Sequence, residues 1–422
     1  MNETKPFEID KRLIYEAYKK VKSNKGGSGI DGITIEEYDK DLSNNLYRLW
    51  NRMSSGSYMP QSVKLVEIPK SNGGKRPLGI PSISDRIAQM AVVLTIMPVL
   101  DRIFHDDSYG YRPNKSAHDA VTKARERCFK YPWVLDMDIS KFFDTIDHDL
   151  LMKAVSIHVK ERWMLLYIER WLKVPYEDSE GNLTIRNMGV PQGSVIGPVL
   201  ANLYLHYVFD RWMQIYYPHI PFERYADDII CHCRTEQESE CLKKAITARF
   251  SACRLRLNEE KTKIVYCGSM LPKSCTLNTS FDFLGFTFRY RLCMNSKTKM
   301  LFVKFSPAIS RKASMKLRES IRAWNLTSKV YVNIKSLASL LNPQIQGWIN
   351  YYAKFNKSEF RKVMVYLNEK LARWLRRKYK KLRNGYVAKA IYALSLTARK
   401  NPTLFAHWAH GYTLYAKRSN YQ

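Results

Sequence analysis

Two aspartates stand side by side in "RYADDIICHC", residues 224–233, in a stretch otherwise apolar enough for a buried strand. Asp227 and Asp228 are hard oxygen donors, and adjacent carboxylates repel each other unless a cation lies between them. A second acidic strand end occurs in "VLDMDISKFF", where Asp136 and Asp138 close an apolar run just ahead of a helical one. If the two strands lie side by side in one sheet, Asp138 and Asp227 can share a divalent cation. Such a site suits phosphoryl transfer with two metals: one lowers the pKa of an attacking hydroxyl, the other neutralises a leaving pyrophosphate. Aspartate is common in hairpin turns for its tolerance of turn geometry alone. The second acidic strand end is what favours the metal-binding reading.

Other residues complete this chemistry. Lys70 and Arg76 flank an Asn-Gly-Gly turn and could reach a triphosphate. Gln192 can donate from its amide in a loop opened by Pro191 and Gly193. Phe143, five residues after Asp138 at a helix start, could pack against a sugar.

The elements that must carry these residues follow from periodicity and turn chemistry. Residues 8–24 and 34–54 read as helices around the glycine-rich loop "NKGGSGIDGIT". Residues 62–82 read as a hairpin, followed by a helix over 83–104. A strand opens 133–151 and passes into helix to about 173, and 188–213 is a loop leading into a long helix. "PFERY" and "DIICHC" read as two strands joined by the two-residue turn Ala226-Asp227. A helix over 236–253, a strand at "TKIVYCG" and a hairpin at "FDFLGFTFRYR" come next. From about 307 the pattern is helical and basic, which places a boundary near 300–310.

Composition narrows the partners. The 422 residues are too many for one core, so two or three subdomains are expected. The net charge is +30, and within 301–422 Lys and Arg outnumber acidic residues 25 to 3. An excess so concentrated points to a polyanion, with long RNA or DNA favoured over a membrane. No apolar run reaches the roughly 18 residues of a spanning helix, and "MAVVLTIMPVL" reads as a buried helix. The N-terminus is unlike a secretion signal, so a cytoplasmic location is expected. Eight cysteines form no C-x-x-C pair, and in Cys231-His232-Cys233 strand alternation turns His232 away from both thiols, against a metal cluster.

"RYADD" after "DMDISKFFD", with "IPKSNGGKRPLGIPS" before them and "GVPQGSVIGPVLANL" between, resembles a reverse transcriptase of the group II intron type. "YGYRPNKSAHDAV", "LNEEKTKIVYCG" and "FDFLGFTF" resemble that family's further blocks, in order. "LNPQIQGWINYYAKF" is similar to its maturase, or thumb, domain, and "NPTLFAHW" to its C-terminal end. The resemblance implies an α+β right-hand polymerase, with fingers and palm of antiparallel sheet plus helices and an α-helical, maturase-like thumb. Its expected divisions are an N-terminal helical extension (1–60), fingers and palm (61–300), thumb (305–370) and a basic helical RNA-binding extension (371–422).

Carried over block by block, the resemblance makes Asp138, Asp227 and Asp228 the metal-binding catalytic aspartates, with Asp228 more peripheral and Asp136 a neighbour. Two Mg2+ ions are implied, with Mn2+ as a possible substitute. Lys70 and Arg76 would hold the incoming nucleotide's phosphates, Gln192 would line its pocket, and Phe143 would be the steric gate against a ribose 2′-hydroxyl. Leu284-Gly285 would support the primer end, and Lys261 would sit near the active site. The partners implied are a structured RNA (intron RNA or a dedicated noncoding RNA), dNTPs and the cDNA product, with no membrane.

In "LARWLRRKYKKLR", Arg373, Arg376, Arg377, Lys378, Lys380 and Lys381 form a one-sign run expected to contact RNA phosphates, with Trp374 and Tyr379 available for stacking. Trp348, Tyr351 and Tyr352 fall at helical spacing and read as thumb core. His118 and Asp119 read as capping or packing. No zinc-type endonuclease segment is visible, and Ser194 stands where many relatives have a second glycine. Three roles are open: an intron-encoded enzyme that aids splicing and copies its RNA, a domesticated antiphage reverse transcriptase copying a noncoding RNA, or an RNA-binding splicing cofactor without polymerase activity.

Overall fold

In a computed structural model, residues 5–69, 74–268, 277–294, 297–298, 300–383 and 387–414 are described. They divide into two compact units. The first comprises the chain to Ala124 and Trp133–Ile264; the second comprises Arg125–Pro132 and the chain from Val265. The division by packing therefore falls at 264/265, ahead of the charge-based boundary at 300–310. The strands from Ser280 onward belong to the same unit as the basic helices, whatever their own charge.

The first unit holds two sheets. One has the order β2-β1-β4-β5, built from the hairpin β1 (Val63–Pro69) and β2 (Lys75–Ile80) with the short β4 (Tyr176–Glu177) and β5 (Leu183–Thr184). The other has the order β6-β7-β3-β8. It contains β3 (Trp133–Asp138), β6 (Phe222–Tyr225), β7 (Asp228–Cys233) and β8 (Lys263–Tyr266). Helix Ile83–Ile103 runs through this unit's core. It is long and apolar enough to cross a membrane, unlike the shorter apolar run read from sequence. Ile87, Ala88, Ala91, Val92 and Leu100 of this helix are instead fully buried against protein. Helices Lys11–Ser23 and Leu42–Ser54 place Ile14, Tyr18, Leu49 and Met53 in the same core, so the first 60 residues are part of this unit.

The second unit joins a three-stranded sheet, β11-β10-β9, to helices Arg311–Ala323, Ile334–Tyr352, Lys357–Lys378 and Val387–Lys400. Its strands are β9 (Ser280–Phe283), β10 (Phe286–Met294) and β11 (Leu301–Ile309). The last of these runs past 307, where the sequence pattern reads as helical. Pro307 and Lys304 obscure it, yet a proline is tolerated there because β11 is an edge strand.

A buried polar hub ties the C-terminal segment to helix Lys357–Lys378. Asn368 Oδ1 accepts from Trp408 Nε1 at 2.8 Å and lies 2.8 Å from His407 Nε2, while its Nδ2 donates to the Tyr412 carbonyl at 2.8 Å. Trp408 Nε1 can only donate, and His407 Nε2 also donates because it faces the same acceptor oxygen. His407 is fully buried with Nδ1 unpartnered, and burial lowers its pKa to about 3. An unfolded histidine takes up a proton below about pH 6.5, whereas the folded one stays neutral down to about 3. This residue's contribution is therefore present above pH 6.5 and is lost as pH falls through that window, by about 1.4 kcal/mol per unit. Urea unfolding of the wild type between pH 6.5 and 5 should show this slope, and His407→Gln should reduce it. Equal slopes would mean that His407 becomes hydrated and charged without unfolding.

Candidate active site

β3 and β7 pair antiparallel in a register that sets Asp138 directly opposite Asp228, with Asp136 opposite Ile230. Residues directly opposite share one face of the sheet, so the two carboxylates emerge on the same side. β6 pairs with β7 from Phe222↔Cys231 to Tyr225↔Asp228, leaving Ala226-Asp227 as a two-residue turn. Ala226 carries φ +56°, the left-handed backbone that primed hairpin turns require at their first central residue. The three aspartates are thus assembled by strand register and turn together. Asp136 lies two residues back on the face of Asp138, with its strand partner in the apolar part of β7.

Lys261 belongs to the same site. The segment after helix Glu236–Ala252 runs beside the end of β3, with Ser140 N donating to the Arg256 carbonyl and Asn258 N to the Asp138 carbonyl. This brings Lys261 Nζ to 2.8 Å from Asp138 Oδ2. Asp228 is exposed to solvent at the start of β7, yet protein atoms crowd around it. Burial is the first cause of a pKa raised to about 7, with the Asp227 and Asp138 charges adding to it and Lys261 opposing.

This donor set fits divalent cations. Three acidic side chains meet one lysine, and burial, reinforced by the neighbouring carboxylates, lets Asp228 hold a proton near neutrality. Among the described residues, no group of three or more His, Cys, Asp or Glu side chains is gathered closely enough to hold a metal ion by itself. Ions held here would therefore need further oxygens from substrate or water to complete their coordination. Cys231 and Cys233 are fully buried core thiols, and burial pushes Cys233 up to about 12. His232 faces Glu223, with Nε2 2.6 Å from Oε2.

One wall beside the aspartates is made by the turn helix Phe142–Thr145 and the loop 189–193. Val190 N donates to the Phe143 carbonyl and Gly189 N to the Ile146 carbonyl, each at 2.7 Å. Gly79 N of β2 donates to the Gln192 carbonyl at 2.7 Å, and Gln192 Nε2 donates to Asp144 Oδ1 at 3.3 Å. Gly193 has φ +110°, and a Cβ there would stand 2.4 Å from the Gly79 oxygen, so only glycine lets the loop lie this close to β2. Phe143 is half-buried and its ring meets Phe142 edge-on at 5.3 Å. Ser194 is buried, and its Oγ accepts from Gly197 N at 2.9 Å at the start of helix Gly197–Leu205.

Lys70 lies outside the described residues, and of Arg76 only the β2 backbone is described, paired with Ile68. Gly285 belongs to the second unit. It forms with Leu284 a left-handed β9–β10 turn (φ +80° and +50°), and Tyr351 Oη donates to the Leu284 carbonyl at 3.0 Å. Tyr352 and Phe286 pack around this turn, so both tyrosines support it as part of that unit's core. Trp348 stacks on Trp324 at 5.3 Å. Asp119 caps its own helix through Ser116.

In the basic run, Arg373, Arg377, Lys380 and Lys381 are exposed and Arg376 is half-buried. Lys378 points inward, its Nζ donating to the Val330 and Val332 carbonyls at 2.6 and 3.0 Å. Trp374 is fully buried, with Nε1 donating to the Lys329 carbonyl, so it is a core residue and no stacking platform. Tyr379 is exposed.

Sequence reasoning missed Asp144, Arg186 and Tyr176 near the loop wall. The Arg186 guanidinium lies 4.6 Å over the Tyr176 ring and donates to the Val174 carbonyl at 2.9 Å. It also missed Asn202 and Asp210 behind the aspartates. Their available signal was polarity inside the apolar helical stretch "ANLYLHYVFDRW".

Residues 68–288, just over half of the chain, match the reverse transcriptase (RNA-dependent DNA polymerase) family, and residues 314–391 match the group II intron maturase-specific domain. The chain belongs to the reverse transcriptase family. It is an RNA-directed DNA polymerase that carries a maturase domain of the group II intron type. It is 32% identical over 311 residues to Protein YkfC of Escherichia coli (strain K12), covering 64% of this chain and 79% of that protein. It is 34% identical over 196 residues to the group II intron-encoded protein LtrA of Lactococcus lactis subsp. cremoris, covering 46% of this chain and 32% of LtrA. A solved telomerase from Candida albicans aligns with 89% of this chain and 67% of its own, at 13% identity and a TM-score of 0.46.

Proposed function

We propose that this chain copies a cognate structured RNA, read most directly as a group II intron RNA, into complementary DNA from deoxynucleoside triphosphates. The observation that carries the polymerase chemistry is the register that puts Asp138 opposite Asp228 with Asp227 in the adjoining turn. Asp138 and Asp227 would hold two Mg2+ ions, with Asp228 beside them and Mn2+ able to substitute. Such ions, when bound, would supply a lowered pKa for the primer hydroxyl and positive charge beside the departing pyrophosphate.

The chain's own residues do the rest. Asp138 is anchored by its strand and by Lys261, which restrains the carboxylate and offsets part of the local negative charge. Gln192 is fixed at its backbone by Gly79 and at its amide by Asp144, so it can face a nucleotide without swinging. Phe143, held by the Val190 contact, would exclude a ribose 2′-hydroxyl. Lys70 and Arg76 would bind the triphosphate, and Gly285 the primer end. The maturase-domain match supports intron RNA as the template, and a role in splicing with it. Sequencing the RNA and DNA that co-purify with the protein tests this reading. Intron RNA with exon junctions is expected, whereas a single short noncoding RNA with its cDNA would replace it with the defence role.

The exposed basic run gives a second test. Replacing Arg373, Arg377, Lys380 and Lys381 with Ala should weaken RNA binding and flatten the plot of log affinity against log salt, by about 0.7–0.9 per lost phosphate contact. Lys378→Ala should lower stability and leave that slope unchanged, because its ammonium serves two carbonyls of the protein. An unaltered slope in the fourfold variant would mean a solvated face only.

A further inference from the structure

Behind the aspartates lies a closed polar circuit. Arg224, the residue before Tyr225, is fully buried, and so is Asp210. Their contact is bidentate: Nε to Oδ1 at 2.7 Å and Nη2 to Oδ2 at 2.6 Å. Asp210 stands in a π turn, His206–Asp210, which interrupts the helix between Leu205 and Arg211. A π turn inserts an extra residue into the helical register, and such turns are frequent at functional sites.

The third nitrogen of Arg224 donates to Asn202 Oδ1 at 2.9 Å, and Asn202 Nδ2 donates to the Gly110 carbonyl at 2.6 Å. Gly110 then returns to the turn itself. A Cβ built there would lie 2.6 Å from Ala226 N and 3.1 Å from the Tyr225 carbonyl carbon. The segment before Gly110 is stitched to the same arginine, with Arg224 N donating to the Asp107 carbonyl and Tyr109 N to the Arg224 carbonyl. Arg224 Nη1 also reaches the Ala226 carbonyl at 3.4 Å.

We infer that Arg224, Asp210, Asn202 and Gly110 are positioning residues that hold the Ala226-Asp227 turn where its carboxylates bind metal. Backbone economy argues for this. Ala226 adopts a left-handed conformation that L residues resist, and it persists only when its surroundings determine it. A buried ion pair contributes little net stability compared with an apolar pair of similar volume. What the circuit supplies is geometry: a bidentate fork has one orientation, and it passes that orientation to both sides of the turn.

This inference rests on the metal-site reading above, and the experiment separates the two. Mn2+ alone is titrated into the full chain and free Mn2+ is read by EPR, for wild type, Asp227→Ala/Asp228→Ala, the double variant Arg224→Met/Asp210→Leu, and Gly110→Ala. The paired apolar replacement leaves no uncompensated buried charge, and a melting temperature near the wild type's is the expected control. It should nevertheless weaken Mn2+ binding at least about tenfold, the range seen when groups that orient metal ligands are removed. The kcat for DNA synthesis should fall on the order of 10²-fold, as expected for a displacement of about 1 Å, with little change in nucleotide KM. Gly110→Ala leaves the ion pair in place and presses on the turn. It should show the same two changes, and it decides the matter if the double variant does not fold. Wild-type Mn2+ affinity and kcat in a folded double variant, or in Gly110→Ala, would overturn the positioning role. Wild-type Mn2+ binding that is indifferent to Asp227→Ala/Asp228→Ala would instead overturn the metal site itself.

Discussion

Alanine at both Asp227 and Asp228 is expected to lower DNA synthesis by on the order of 10³-fold or more, because metal ions stabilise transition-state charge by several kcal/mol. RNA affinity should hold. The contacts that attract a polyanion come from lysines and arginines, and removing two negative charges does not weaken that attraction. The effect is large because the three carboxylates act as one group. Asp138 keeps its place at the end of β3, but Lys261 then faces it alone and its charge is matched, leaving little to draw in a cation. Primer extension on a simple template, beside filter binding of the same RNA, measures both halves. Retained synthesis would refute the assignment of the site. Lost RNA binding would show that the substitutions disturbed more than the turn.

The second large effect is one of stability. Asn368→Leu keeps the approximate volume of a buried side chain and removes all of its hydrogen bonds. His407 Nε2, Trp408 Nε1 and the Tyr412 carbonyl lose their partner at once. Each stranded buried group costs about 1–3 kcal/mol, so the loss should reach about 3 kcal/mol or more. The consequence is local first: the segment around Trp408 should detach from helix Lys357–Lys378, exposing the Trp408 and Phe405 rings that are packed together at 4.7 Å. Urea unfolding and proteolysis near residue 405 measure this. A change below about 1 kcal/mol would mean that water enters and satisfies the three groups.

Much of the fold is readable from local pattern. The "PFERY"–"DIICHC" hairpin and its two-residue turn fall where alternation and turn chemistry place them, at Phe222–Tyr225 and Asp228–Cys233. Helix Ile83–Ile103 follows its apolar run, with Ser82 capping it through the Asp85 amide. Other readings followed charge where packing rules. The basic run 371–383 looks uniformly suited to phosphates. Yet Leu367, Leu371, Trp374 and Leu375 form one helical stripe, and that stripe is the buried one. Trp374 belongs to it, and Lys378, one turn further along, is drawn inward to two carbonyls. Strand β11 was hidden for the same reason, since its lysine and proline outweighed the alternation around them.

The amino-acid sequence by itself determined the chemistry available to this protein: which strand ends carry carboxylates, which turn exposes two of them, and where the basic surface lies. These depend on residue type and on periods of two or a few residues, which a linear chain states directly. The tertiary structure alone decided how the pieces meet. Lys261 reaches Asp138 across 123 positions of chain, and Arg224 of β6 meets Asp210 at the end of a π turn on a preceding helix. Such contacts depend on the register of one element against another, which is set by packing over the whole core and is written in no single stretch of sequence.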